Sequence, residues 1–235
     1  MEAIMAIAKE HNLFVIEDNA QAIGAEYTFS DGKKQKSGTI GNVGTTSFFP
    51  SKNLGAYGDG GAIFTNDDAL AAKMRSIVNH GMSTRYYYDR IGVNSRLDSL
   101  QAAILRIKLP YLDSYAKARQ KVADYYDNAF KNCKNISVPK RSAFTSHVFH
   151  QYTLLIHEDK RDGLHEFLKE QDIPNAIYYP VPLHKQEAYK HFKFDTKSLQ
   201  TTINLCENVL SLPIHTEMEE EQLAYITDAI LQFLK

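Results

Sequence analysis

Cysteine is almost absent from this 235-residue sequence: Cys133 and Cys206 are the only two, far apart and in no CxxC pair. That usage excludes a zinc knuckle and a disulfide framework. Two free thiols fit a reducing cytoplasm. An excess of either charge is also missing. Lys plus Arg is 27 and Asp plus Glu is 28, for a formal net charge of −1. No broad nucleic-acid or anionic-membrane surface is therefore expected, although a local anion pocket stays open. The longest apolar runs, such as residues 13–16, are far too short to span a bilayer. No basic stretch followed by an apolar one opens the chain, so no signal peptide is expected. There is no internal repeat, no low-complexity segment and no G-x-S-x-G elbow, which argues against a serine hydrolase. What remains is 43% hydrophobic and 23% charged, the composition of an ordinary soluble protein with a sizeable core.

The hydrophobic pattern reads as an α/β chain. Helical spacing covers residues 2–9, and the continuous apolar run 13–16 reads as a strand buried on both faces of a parallel sheet. That run ends at Glu17-Asp18, and strand carboxyl ends are where ligands collect in open α/β sheets. Further strands are expected at 45–49 and 61–65. A helix is expected over 68–79, capped by Asp67 and stopped by Gly81. Helical residues 99–109 and 111–130 are interrupted at Pro110. Val138-Pro139 marks a change of character. A strand (151–156), a helix (161–171), a strand (176–179) and two helices (198–210, 219–234) follow. The pattern implies a first domain over residues 1–130 with a mainly parallel sheet, and a smaller α/β domain over 131–235. The first domain holds few βα units and opens in mid-pattern. A piece of a longer protein, or an abbreviated N-terminus, is the expectation.

Three residues within 35 positions carry chemistry together. Alone, Lys52 reads as a solvated lysine, Asp18 as a turn former and Ser47 as a strand residue. Together they meet the needs of pyridoxal phosphate. That cofactor takes an amine for a Schiff base, a carboxylate beside its pyridine nitrogen, and hydroxyl and amide donors around its phosphate. Lys52 opens a loop in which Gly55, Gly58, Gly60 and Gly61 permit tight turns.

Four stretches then make a specific resemblance. They are Val15-Ile16-Glu17-Asp18-Asn19-Ala20-Gln21-Ala22-Ile23-Gly24-Ala25; Ser47-Phe48-Phe49-Pro50-Ser51-Lys52-Asn53-Leu54-Gly55 with Gly58-Asp59-Gly60-Gly61-Ala62; Gly92-Val93-Asn94-Ser95-Arg96-Leu97-Asp98 with Gln101-Ala102-Ala103; and Tyr179-Pro180-Val181-Pro182-Leu183-His184. In this order they resemble the DegT/DnrJ/EryC1/StrS family of nucleotide-sugar aminotransferases. The resemblance implies fold type I of the pyridoxal-phosphate enzymes, with residues 1–130 as the C-terminal part of the large cofactor-binding domain and 131–235 as the small domain. It implies Lys52 as the Schiff-base and proton-moving lysine, Asp18 at the pyridine nitrogen, Gln21 near the ring hydroxyl and Ser47 at the phosphate. Asn94 would contact the phosphate bound by a neighbouring subunit, so a homodimer with shared sites is implied, with Arg96 a further candidate there. Helix capping before Ser99 is the plain alternative for Asn94 and Arg96. The family's longer chains carry an upstream phosphate loop and a stacking aromatic, neither of which is present in this sequence.

The implied reaction moves an amino group from glutamate to a keto-sugar on a nucleoside diphosphate. UDP- or dTDP-linked 3-keto sugars are favoured over 4-keto sugars. Such products serve cell-surface polysaccharide, lipopolysaccharide or deoxy-amino-sugar synthesis. Arg96, Tyr179 and His184 are substrate candidates, and Arg85, Arg90 and Arg96 lie in a segment that could approach a nucleotide sugar. His147, His150 and His157 lack a fourth ligand and read as part of a strand, so no metal is expected. Lys52 disfavours a non-catalytic regulator on the same fold, and also the family's dehydratases, which place His at that position. A regulatory protein, or a fragment inactive by itself, stays the alternative.

Overall fold

The computed structural model describes residues 1–235. The chain folds as two compact units. The first comprises Met1–Lys117 and Arg141–His150, and the second Ala118–Lys140 and Gln151–Lys235. No helix is long and apolar enough to cross a membrane.

The first unit opens with α1 (Glu2–Glu10) and reaches β1 (Ile16–Asp18). A hairpin of β2 (Glu26–Thr28) and β3 (Lys34–Lys36) follows. Its turn is made by Gly32, with φ +83°, and by Asp31, whose carboxylate accepts from Lys33 N at 2.9 Å. Next come β4 (Val43–Ser47) and β5 (Gly61–Phe64), then α2 (Asp68–Val78), capped by Asp67 accepting from Leu70 N. A short hairpin of β6 (Met82–Thr84) and β7 (Tyr87–Tyr88) leads to α3 (Ser99–Lys108), capped by Asp98. A 3-10 turn at Pro110 then joins α3 to α4 (Leu112–Phe130).

The first sheet has the order β1-β4-β5. The β1–β4 pairing is parallel and the β4–β5 pairing antiparallel, because the loop after Ser47 brings the chain straight back. Sequence pattern led us to expect residues 13–16 in a strand buried on both faces. Instead β1 begins at Ile16 and lies at the sheet edge, and Leu13, Phe14 and Ile16 are 58%, 58% and 64% exposed. The apolar run forecast the strand's location but not its cover, which depends on what packs beside it.

In the second unit, β8 (Ile136–Ser137), β9 (Tyr152–Ile156) and β10 (Val209–Leu212) form an antiparallel sheet with β9 in the centre. α5 (Arg161–Glu170), α6 (Gln200–Asn208) and α7 (Glu220–Phe233) complete it, α7 starting from a Glu219/Gln222 capping box. Its core is large and continuous: Tyr126, Phe130, Tyr152, Leu154, Ile156, Leu164, Leu168, Leu210 and Ile230 are fully buried.

Four expectations differ from this arrangement. The boundary expected at 130/131 falls inside the second unit, because the apolar face of α4 places Tyr126 against Tyr152, with ring centroids 4.9 Å apart. Residues 141–150 belong to the first unit, because they hydrogen-bond along β2: Thr28 N donates to Phe144 O and Ser146 N to Glu26 O. Helix 198–210 ends at Asn208. There the buried guanidinium of Arg161 takes up the carbonyls of Cys206 and Val209, and the chain turns into β10. Residues 176–179 form no strand beyond a bridge between Ala176 and Ser211, and Pro180 and Pro182 directly after them lack the N–H donors that would extend the pairing.

Candidate functional site

The carboxyl edge of the first sheet carries two of the predicted residues, Asp18 and Ser47. In the parallel register Asp18 lies opposite Thr45, so Ser47 stands two residues further along the neighbouring strand. Asp18 is exposed at the end of β1, and its Oδ1 accepts from Ala20 N at 3.1 Å. The next residue, Asn19, is buried. Its N–H donates to Thr45 O, its carbonyl accepts from Thr46 Oγ1 and its Oδ1 accepts from Ser37 Oγ. Asp18 is thus presented by a turn fastened on three sides. Gln21 is exposed in the same turn.

Ser47 Oγ accepts from Phe49 N at 3.2 Å, which leaves its own O–H able to donate. Lys52 follows in a compact loop. Lys52 N donates to Phe49 O, and Ala56 N to Phe48 O. At Gly55 a Cβ would stand 2.3 Å from Pro50 O, so the fold demands glycine there. The loop rests on a small core of Phe48, Leu54, Ala56 and Leu105. Helix α3 ties it down as well: Gln101 Oε1 accepts from Tyr57 N at 2.8 Å, and Lys108 Nζ donates to Gly55 O at 2.5 Å. Lys52 is half-buried, and no carboxylate pairs with its ammonium.

Asn94 and Arg96 sit in the segment before α3. Asn94 bridges to Asn79 at the end of α2, and Arg96 Nε donates to Asn94 Oδ1 at 3.0 Å. Neither caps α3, since that place belongs to Asp98. Both are exposed. Arg85 lies over the Tyr86 ring at 4.9 Å. Tyr179 and His184 lie in the second unit. Tyr179 is exposed, while His184 Nε2 is buried without a hydrogen-bond partner and its ring meets Phe194 edge-on. Residues 147–150 are not a strand; Phe149 has φ +44°.

Sequence reading passed over Glu17. Its carboxylate accepts from Gly38 N at 2.8 Å and from Ile40 N and Gly41 N at 2.6 Å each. It thereby holds the loop that covers Gly44, where a Cβ would lie 1.9 Å from Gly38 O. A carboxylate at a strand end followed by a Gly-x-x-Gly loop was the available signal.

An exposed carboxylate and a hydroxyl at the carboxyl ends of adjacent parallel strands, with an amine in the loop that follows, suit the donor set of pyridoxal phosphate. The sequence profile of the DegT/DnrJ/EryC1/StrS aminotransferase family matches residues 1–231. The chain belongs to that family. Aminotransferases of this family are pyridoxal-phosphate-dependent, and the fold is the α/β type I fold of those enzymes over the portion spanned. A Geobacillus stearothermophilus pleiotropic regulatory protein is 47% identical over 237 residues, covering 100% of this chain and 62% of the relative. The UDP-N-acetyl-3-dehydro-alpha-D-glucosamine 3-aminotransferase of Acidithiobacillus ferrooxidans is 42% identical over 234 residues, covering 100% and 61%. The solved structure of S. venezuelae DesV in complex with a ketimine intermediate superposes with a TM-score of 0.92 at 36% identity, covering 100% and 62%. The chain thus spans about three-fifths of the length of these relatives.

Proposed function

We propose that this chain is the Lys52-bearing portion of an aminotransferase that moves an amino group from glutamate to a keto-sugar on a nucleoside diphosphate. The observation that carries the reading is the placement of Asp18 and Ser47 at the ends of adjacent parallel strands, with Lys52 in the loop that follows. When bound, pyridoxal phosphate supplies the electron sink for the carbanion chemistry. Asp18 holds the proton on the ring nitrogen, Ser47 donates to the phosphate, and Gln21 lies near the ring hydroxyl. Lys52 Nζ would move the proton off the glutamate α-carbon in the first half-reaction and, in the second, deliver a proton to the sugar carbon that gains the amine.

On this reading the first unit belongs to the large cofactor-binding domain, and the second unit, Ala118–Lys140 with Gln151–Lys235, is the small one. Asn94, with Arg96 bonded to it, reaches the phosphate of a neighbouring subunit in a cytoplasmic homodimer. Tyr179 and His184 meet the substrate. A 3-keto sugar on UDP or dTDP is favoured; the Acidithiobacillus relative is named as a 3-aminotransferase. The product enters cell-surface polysaccharide or deoxy-amino-sugar synthesis. Neither a nucleic acid nor a membrane is a partner.

The test has two parts. Borohydride reduction with pyridoxal phosphate, followed by peptide mapping, labels Lys52, and Lys52→Ala loses that label while keeping its fold. A panel of UDP- and dTDP-keto-sugars with glutamate yields 2-oxoglutarate from 3-keto substrates. Label confined to another lysine removes the assignment of Lys52. Turnover of 4-keto sugars alone removes the C3 preference. A folded protein that takes no label and turns over nothing favours the second reading, a regulatory role such as that named for the Geobacillus relative.

A further inference from the structure

We propose that Asn53 is the positioning residue for Lys52, and that His150 is what holds Asn53 in place. The inference rests on the reading of Lys52 given above. Asn53 is only 8% exposed and immediately follows the lysine. Its Nδ2 donates to Val148 O at 2.9 Å, and its Oδ1 lies 3.3 Å from His150 Nδ1. The two contacts determine each other. A carbonyl accepts only, so the amide must turn its NH2 toward Val148. That leaves Oδ1, which also only accepts, facing the imidazole. His150 must therefore carry its proton on Nδ1 and donate it.

The partner segment, Arg141–His150, is itself anchored. It runs beside β2 through Thr28 N to Phe144 O, Ser146 N to Glu26 O and Glu26 N to Ser146 Oγ. Val148 and Phe149 are buried, and Arg141 lies over the Phe149 ring at 4.9 Å. Distant in sequence but part of the same unit, this strap reaches the Lys52 loop through Asn53, by contacts separate from the α3 ties. Gln101 and Lys108 fix the loop at Tyr57 and Gly55. Asn53 fixes it at the residue next to the amine. Without that tie the backbone at Lys52 would be held only by the local turn onto Phe49 O. Positioning an amine to within a fraction of an ångström is what such a buried tie can provide.

The experiment uses the whole chain and reads two quantities: amide hydrogen exchange across residues 48–60, and the rate of borohydride-trapped labelling of Lys52 by pyridoxal phosphate. His150→Ala, which removes one buried hydrogen bond, should speed exchange at residues 52–56 about tenfold; Asn53→Ala, which removes two, should speed it at least as much; both should slow Lys52 labelling, with exchange in α2 unchanged. His150→Asn, whose amide places a donor where Nδ1 stood, should restore both. Wild-type exchange and labelling in both alanine variants would overturn the inference. So would exchange raised equally in α2 and β4, or His150→Asn behaving like His150→Ala. Should Asn53→Ala fail to fold, the half-buried His150 pair still decides. Label on a different lysine in the unsubstituted chain would refute the role of Lys52, and this inference with it. Correct labelling of Lys52 at an unchanged rate in the variants would sink the Asn53 role alone.

Discussion

Glu17 offers the sharpest test of how the site's frame is held. Its carboxylate receives three backbone N–H groups, from Gly38, Ile40 and Gly41. Glu17→Gln keeps Oε1 for two of them but turns an NH2 toward Gly38 N–H, so one charge-assisted bond is lost and two donors oppose. A hydrogen bond to a charged group is worth ~1.5–3 kcal/mol; with Glu17 half-buried, about 2 kcal/mol is expected. For a chain of this length that lowers the melting temperature by about 4–8 °C. Glu17→Ala orphans all three donors. Water reaches part of the loop, so the cost is about 3–5 kcal/mol, a large share of a typical stability. Urea unfolding with a shared m-value and thermal melts measure both. The expected order is wild type, then Gln, then Ala. An alanine variant within about 0.5 kcal/mol of wild type, the range of an ordinary surface substitution, would refute the reasoning. Since Asp18 follows Glu17 on the same short strand, the alanine variant should also weaken pyridoxal-phosphate binding.

Two further outcomes follow. Asp18→Asn should retain cofactor binding but slow transamination: an adjacent carboxylate is worth ~1–3 pKa units to a neighbouring cation, so the ring nitrogen's proton-binding constant falls on the order of 10- to 1,000-fold, and single-turnover rates at wild-type level would remove that role. His147 is held below the ordinary imidazole value, first by removal from water and second by Arg141. The folded state therefore binds this proton less readily than the unfolded state. Stability is full above the unfolded value of ~6.5 and falls as pH drops below it. Melts between pH 5 and 7.5 should show the wild type losing ground to His147→Gln in the acid range, and parallel curves would contradict this.

What the sequence determined by itself was local. The spacing of apolar residues located α1, α2, α3, α4, α5 and α7, because a helix closes its bonds within four residues. Asp67 capped where its place before an apolar run said it should. The Ser47-to-Lys52 stretch could be read as one unit, a strand end running into a glycine-rich loop, because the two are contiguous in the chain. Tertiary structure decided the rest. Residues 209 and 210 close the expected helix 198–210, yet they open β10, because the pairing with β9 and the hold of Arg161 on the preceding carbonyls come from residues some 45 or more positions away. Leu13, Phe14 and Ile16 have the pattern of a buried strand, but their exposure is set by neighbours, which a pattern does not contain. Glu17 meets its loop across 21–24 positions, and Asn53 meets Val148 and His150 across 95 and 97. Such contacts leave no periodicity in the sequence. They exist only once the chain has brought distant donors and acceptors together out of water, where a buried amide must find a partner.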